Sequence, residues 1–104
     1  MISDTRQEEI NNVLSKVIGV SNMTSSSGHK VANQFIIHGV DFGLFQSYQS
    51  PIAMRYNGKT YLFRDWDFSR TTGKYRNQYL REGKKETLRK LKSGEYIAVD
   101  FEVR

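Results

Sequence analysis

The residues best suited to contact another molecule are basic, and they are concentrated in residues 64–92. That segment holds ten lysine and arginine residues against four acidic ones, a net charge of +6, whereas the rest of the chain nets −1. Helical spacing predicts two basic stripes, which favour contact with nucleic-acid phosphates or an acidic protein surface; a solvated helix face is the alternative. The residues expected to contact a partner are Arg70, Lys74, Arg76, Arg81, Lys84, Lys85, Arg89 and Lys92.

Four aromatic residues lie within or beside this basic segment: Trp66, Phe68, Tyr75 and Tyr79. Aromatic rings next to cations can stack on the bases of single-stranded nucleic acid. The alternative is that the rings supply the hydrophobic core. We favour the core for all four, because large aromatic side chains provide much of the buried area in a small domain.

Residues for catalysis or metal binding are scarce. The chain has no cysteine, and His29 and His38 lie nine residues apart without further zinc ligands nearby. Asp65 and Asp67 offer oxygen atoms to a divalent cation, but Ser69 follows them, and we favour capping of a helix. Since no nucleophile has a base at a recognisable spacing, we expect no enzyme activity, no metal and no cofactor.

The first thirty residues predict a helix and then a loop. Ile10, Val13, Leu14 and Val17 have the spacing of an amphipathic helix, which we place over residues 1–19. Residues 20–29 are rich in serine and lack periodicity, which favours a flexible loop. Residues 30–104 are then expected to form an α+β body, and the whole chain of 104 residues one domain.

The body is predicted to contain a mainly antiparallel sheet of about four to five strands. The clearest element is a hairpin over residues 52–63, in which Asn57-Gly58 supplies the turn. Alternating apolar residues over 95–103 predict the last strand.

Two short basic helices are expected before the last strand. The first begins near Ser69 and turns Thr72, Tyr75, Arg76, Tyr79 and Leu80 to one side. The second covers residues 84–92, with Leu88 and Leu91 as its inner residues.

Several short motifs resemble a known pattern: Asn33-Gln34-Phe35, Phe45-Gln46-Ser47-Tyr48, and Trp66-Asp67-Phe68-Ser69-Arg70-Thr71-Thr72 with Tyr75-Arg76. The pattern, over roughly residues 30–98, is similar to that of a family of small uncharacterised proteins of bacteriophages and other mobile elements. The resemblance implies that the chain is encoded by an accessory gene of such an element, and the family has no agreed activity. Proteins from that setting include inhibitors of host defence, among them anti-CRISPR proteins, and nucleic-acid-handling factors. The first helix lies outside the pattern.

These observations lead to two expectations of function. The first is a non-enzymatic accessory protein of a phage or mobile element that inhibits a host-defence nucleoprotein by binding it through the basic helices. The alternative is a nucleic-acid-binding protein that acts in replication or transcription. No apolar run approaches the ~20 residues of a membrane span, so we expect a cytoplasmic protein without membrane contact. A homodimer is left open.

Overall fold

The computed structural model describes residues 2–99 and contains three helices and six strands within them. In chain order these are α1 (Ile2–Leu14), β1 (Val17–Thr24), β2 (Lys30–Gly39), β3 (Phe42–Ser47), β4 (Ser50–Tyr56), β5 (Lys59–Leu62), α2 (Arg70–Leu80), α3 (Lys84–Ser93) and β6 (Tyr96–Ala98). The α+β class is confirmed. The sheet has more strands than the four to five expected.

The strands form one sheet in the order β1-β2-β3-β4-β5-β6. The first four pairings are antiparallel, and only β5 and β6 run parallel, because α2 and α3 carry the chain back across the sheet between them. The predicted hairpin is confirmed at β4 and β5. Its turn residues Asn57 and Gly58 have φ of 54° and 74°, which is the left-handed conformation of a type I′ turn.

The helices cover both faces of the sheet. Leu44 belongs to a hydrophobic cluster with Ile10 and Val13 of α1, whereas its neighbour Phe45 belongs to a cluster with Tyr75 and Leu80 of α2. Adjacent residues of a strand point to opposite faces, so α1 packs on one side, and α2 with α3 on the other. None of the described helices is long and apolar enough to cross a membrane.

The N-terminal part differs from the sequence prediction. The first helix ends at Leu14 instead of continuing to residue 19, and residues 20–29 are not a loop, since β1 occupies Val17–Thr24. Only a tight turn remains of the expected loop. It is closed by a hydrogen bond of 2.8 Å from the Ser25 backbone N–H to the His29 carbonyl. The physical reason is pairing with β2, which supplies backbone partners that local sequence patterns do not reveal.

The last strand is short within the described residues. β6 spans Tyr96–Ala98. Val99 continues the pairing, because its backbone N–H donates a hydrogen bond of 2.8 Å to the carbonyl of Leu62. The predicted continuation to Val103 lies outside the described residues.

Candidate functional site

Helix α2 begins at a capped turn that sets the orientation of its basic residues. Ser69 Oγ accepts the amide N–H of Thr72 at 3.1 Å, and the Thr72 hydroxyl contacts Ser47 Oγ of β3 at 2.8 Å. Thr72 is fully buried, and Tyr75 and Leu80 further along the helix are also buried. With this side of α2 against the sheet, the opposite side faces solvent and carries Arg70, Lys74 and Arg81, which are all exposed.

Arg76 was among the residues expected to contact a partner, but it is buried. Its side chain is 2% exposed, and its guanidinium binds groups within the protein. Nη1 donates to the carbonyl of Trp66 at 2.9 Å and to Asp67 Oδ1 at 3.1 Å, while Nη2 donates to Asn77 Oδ1 at 2.9 Å. The guanidinium also lies 5.1 Å from the centre of the Trp66 ring. Arg76 therefore holds the segment before α2 in place and is not offered to a partner.

Asp67 links the start of α2 to the start of α3. Its Oδ2 accepts a hydrogen bond from Lys84 Nζ at 2.6 Å, while Oδ1 faces Arg76. The bond from Lys84 is the main reason that the pKa of Asp67 lies below its ordinary value; partial burial opposes the shift and Arg76 adds to it. Ser69 is the capping residue of α2, and Asp67 is the anion between two cations.

A shallow groove runs along this end of the two helices. Its volume is about 730 Å³, and its walls include Arg70 and Lys74 on one side and Lys84 on the other. Gly73 lies in the wall between them, where a Cβ atom would stand 3.6 Å from Arg76 Nη2, an ordinary contact distance. The lining holds four cationic residues, of which Arg76 is buried, and the single carboxylate of Asp67, and this excess of positive charge favours an anionic ligand.

Helix α3 is anchored by residues other than those predicted. Leu91 packs against the core as expected, but Leu88 is 41% exposed, and the fully buried position is Thr87. The Thr87 hydroxyl donates to Glu82 Oε2 at 2.6 Å, and Glu82 Oε1 accepts from Lys90 Nζ and from the Tyr96 hydroxyl, each at 2.8 Å. Because α3 turns this polar anchor inward, Leu88 points to solvent.

The basic residues of α3 fall into two groups. Arg89 forms a bidentate ion pair with Glu86, in which Nε and Nη2 donate to the carboxylate at 2.6 and 2.9 Å. Its Nη2 also lies 3.8 Å from Glu95 Oε1. Lys85 and Lys92 are exposed and form no ion pair within residues 2–99. The eight predicted contact residues thus divide into one buried, two paired with carboxylates, and five exposed cations: Arg70, Lys74, Arg81, Lys85 and Lys92.

The aromatic residues near the groove do not all belong to the core. Tyr75 is buried and Trp66 is partly buried, in agreement with the prediction, but Phe68 is 70% exposed. It stands between Asp67 and Ser69, two residues that line the groove. The expectation that Phe68 is a core residue was wrong, because the turn before α2 points it away from the sheet.

Histidine and acidic residues are dispersed across the described part of the chain. Within residues 2–99, no group of three or more histidine, cysteine, aspartate or glutamate side chains is placed to hold a metal ion. His38 Nε2 lies 3.1 Å from Ser21 Oγ at the exposed β1–β2 pairing, and Asp65 accepts the Ser50 hydroxyl at 2.9 Å. The expected lack of a cofactor and of enzyme activity stays a prediction.

A second exposed surface lies at the β1 edge of the sheet. Val17, Ile18 and Val20 are 47, 71 and 60% exposed, and β1 contains no charged residue. Uncharged edge strands are prone to pair with other strands. The homodimer that the sequence left open stays a prediction, and this edge is where it would be sought.

The fold and the groove describe an α+β protein with a basic helical surface, and comparison with known proteins places it in a family. The chain belongs to a family of unknown function, DUF8033, whose model matches residues 18–95. The match includes β1, whereas the resemblance in the sequence was expected to start near residue 30, and it leaves α1 outside as expected. No curated protein and no solved structure matches the chain.

Proposed function

We propose that this chain is a non-enzymatic binding protein whose basic face, formed by α2 and α3, contacts a nucleic acid, either free or within a nucleoprotein. The observation that carries the proposal is that five exposed cations on or directly after α2 and on α3 form no ion pair with another residue of 2–99: Arg70, Lys74, Arg81, Lys85 and Lys92. The carboxylate of Glu82 is turned inward onto Lys90, and that of Glu86 is paired with Arg89. The five cations therefore give this face an excess of positive charge.

The number of cations sets an expected dependence on salt. If all five contact phosphates, counterion release makes the logarithm of the binding constant fall with the logarithm of salt at a slope of about −4.5 on duplex DNA and about −3.5 on a single strand. Four of the five residues lie on α2 and α3, and Arg81 caps the end of α2. Both helices pack on the same face of the sheet, so one partner can reach both stripes.

Fluorescence anisotropy with labelled single- and double-stranded oligonucleotides tests the proposal. The double variant Arg70→Glu with Lys74→Glu should weaken binding at least about tenfold and make the salt slope shallower by about two. The matched control is Lys16→Glu with Lys59→Glu, which changes the net charge equally at exposed positions outside α2 and α3. Equal weakening by both variants, or no binding by the wild-type protein at low salt, would contradict the proposal.

Inhibition of a host-defence nucleoprotein, expected from the resemblance, is the finer form of this proposal. A cationic surface suits the guide or target strand of such a complex, or an acidic surface of its protein, since it does not imitate nucleic acid. Expression of the chain should then protect an infecting phage from one defence system of the host, and the variant reversed at Arg70 and Lys74 should protect less. Full protection by that variant would assign the activity to another surface.

A further inference from the structure

The most unusual side chain on the basic face is Phe68, an apolar ring that is 70% exposed. Phe68 is not itself among the residues that line the groove, but its exposed ring presents a flat apolar face beside them that a ligand can cover. Phe68 lies directly before the groove residues Ser69 and Arg70, and Lys74 follows one helical turn later. The ring and the cations therefore share one end of α2.

The turn that carries Phe68 is held on both sides. The Phe68 amide donates to the carbonyl of Asp65 at 3.1 Å, and Asp65 in turn accepts the hydroxyl of Ser50 in β4. Arg76 binds both the Trp66 carbonyl and the Asp67 carboxylate, and Ser69 is fixed by its cap on Thr72. Each neighbour of Phe68 is thus tied to a strand or a helix, and the ring is presented by a preorganised turn.

From this arrangement we infer that Phe68 stacks on a base of single-stranded nucleic acid while Arg70 and Lys74 contact the flanking phosphates. The inference rests on the proposed function and names its substrate class. Proteins that bind single strands combine a cationic groove with aromatic rings, because every base has a face that can stack. In a duplex that face is covered by the neighbouring base pairs, so the ring favours a single strand.

The charge around Phe68 distinguishes this ligand from a protein partner. An apolar pocket on a protein would cover the ring but would also bury exposed cations, which costs free energy unless each one finds a carboxylate. A single strand supplies a stacking face and a regularly charged backbone together. The exposed residues beside Phe68 that line the groove are Asp67, Arg70 and Lys74, and Asp67 already faces Lys84 and Arg76.

The test compares four variants of the full chain by fluorescence anisotropy, with a labelled 12-nucleotide mixed-sequence DNA strand and its duplex, a length on the order of one binding site. Phe68→Ala should weaken single-strand binding by about 5- to 150-fold and leave duplex affinity and the salt slope unchanged. Phe68→Leu should behave like Phe68→Ala, because it keeps an apolar side chain without a ring. Phe68→Trp should bind at least as well as the wild-type protein. Leu88→Ala, which trims an exposed apolar side chain on the same face, is the control and should bind normally.

A spectroscopic readout separates stacking from a general effect on folding. In Phe68→Trp the added indole emission should be quenched by the single strand and not by the duplex. Wild-type affinity of Phe68→Ala or Phe68→Leu, together with loss of binding on charge reversal at Arg70 and Lys74, would overturn stacking while the proposed function stands. If the wild-type protein binds no oligonucleotide, both fail, and a requirement for Phe68 in binding a host protein would instead assign the ring to a protein interface.

Discussion

Arg76 donates a hydrogen bond to Asp67 across 3.1 Å, from a position that is 1% exposed to one at the rim of the groove. The same nitrogen holds the Trp66 carbonyl, so a single side chain of α2 ties down the turn that precedes the helix. The sequence analysis placed Arg76 among the residues expected to contact a partner. In the structure it is buried and supports the turn before α2 instead.

We expect Arg76→Met to lower the free energy of unfolding by about 3 kcal/mol, because it leaves the partly buried Trp66 carbonyl without its donor and removes one cation from Asp67. Arg70→Met is the matched control on the exposed side of α2 and should change stability by less than about 0.5 kcal/mol. Urea denaturation followed by circular dichroism measures both. Equal stability of the two variants would show that the buried contacts of Arg76 contribute little.

Glu82 should be the acidic residue on which α3 depends most. Its carboxylate is 7% exposed and receives hydrogen bonds from Thr87, Lys90 and Tyr96. Glu82→Gln removes the negative charge and turns one acceptor into a donor facing donors, so we expect a loss of about 1–3 kcal/mol in the free energy of unfolding. Glu86→Gln breaks only an exposed pair with Arg89 and should leave the denaturation midpoint almost unchanged. A larger effect at Glu86 than at Glu82 would contradict this assignment.

Acid should remove the contribution of Glu82. Burial alone raises the pKa of this carboxyl, but hydrogen bonds from Lys90, Thr87 and Tyr96 outweigh burial and hold the pKa below its ordinary value. A carboxyl with a lowered pKa in the folded state stabilises the protein above its unfolded pKa, and the stabilisation is lost as the pH falls through the folded pKa. The difference in stability between the wild-type protein and Glu82→Gln should therefore be constant near neutral pH and shrink below about pH 4. Denaturation midpoints measured from pH 7 to pH 2.5 would reveal a constant difference if the assignment is wrong.

Replacing Arg81 should change the stability of the protein and its binding of nucleic acid in opposite directions. It ends α2 in the left-handed conformation, with φ of 59°, which an L-residue other than glycine adopts at a cost. Arg81→Gly should raise the free energy of unfolding by up to about 1 kcal/mol, and it should also weaken nucleic-acid binding and make the salt slope shallower by about one, since one cation is lost. Thermal denaturation and anisotropy on the same preparation check the two effects. Arg81→Gly that binds as tightly as the wild-type protein would remove Arg81 from the contact surface.

Local patterns were sufficient for much of the fold. The α+β class, the basic helices and the Asn57-Gly58 hairpin all depend on residues close together in the chain, through helical period, capping by Ser69 and turn conformation. The strand β1 was missed for the opposite reason. Its polar half has no clear alternation, and the backbone partners that make it a strand lie in β2, as far along the chain as Gly39 is from Val17.

The sequence by itself determined where the positive charge lies, on two helices between β5 and β6. Only the tertiary structure decided which of those charges are available: Arg76 is buried under the turn, Lys84 and Arg89 face carboxylates, and Phe68 is turned outward. The physical reason is that helical spacing assigns a residue to a side of its own helix, whereas exposure and pairing depend on what the sheet and the neighbouring helix place against that side.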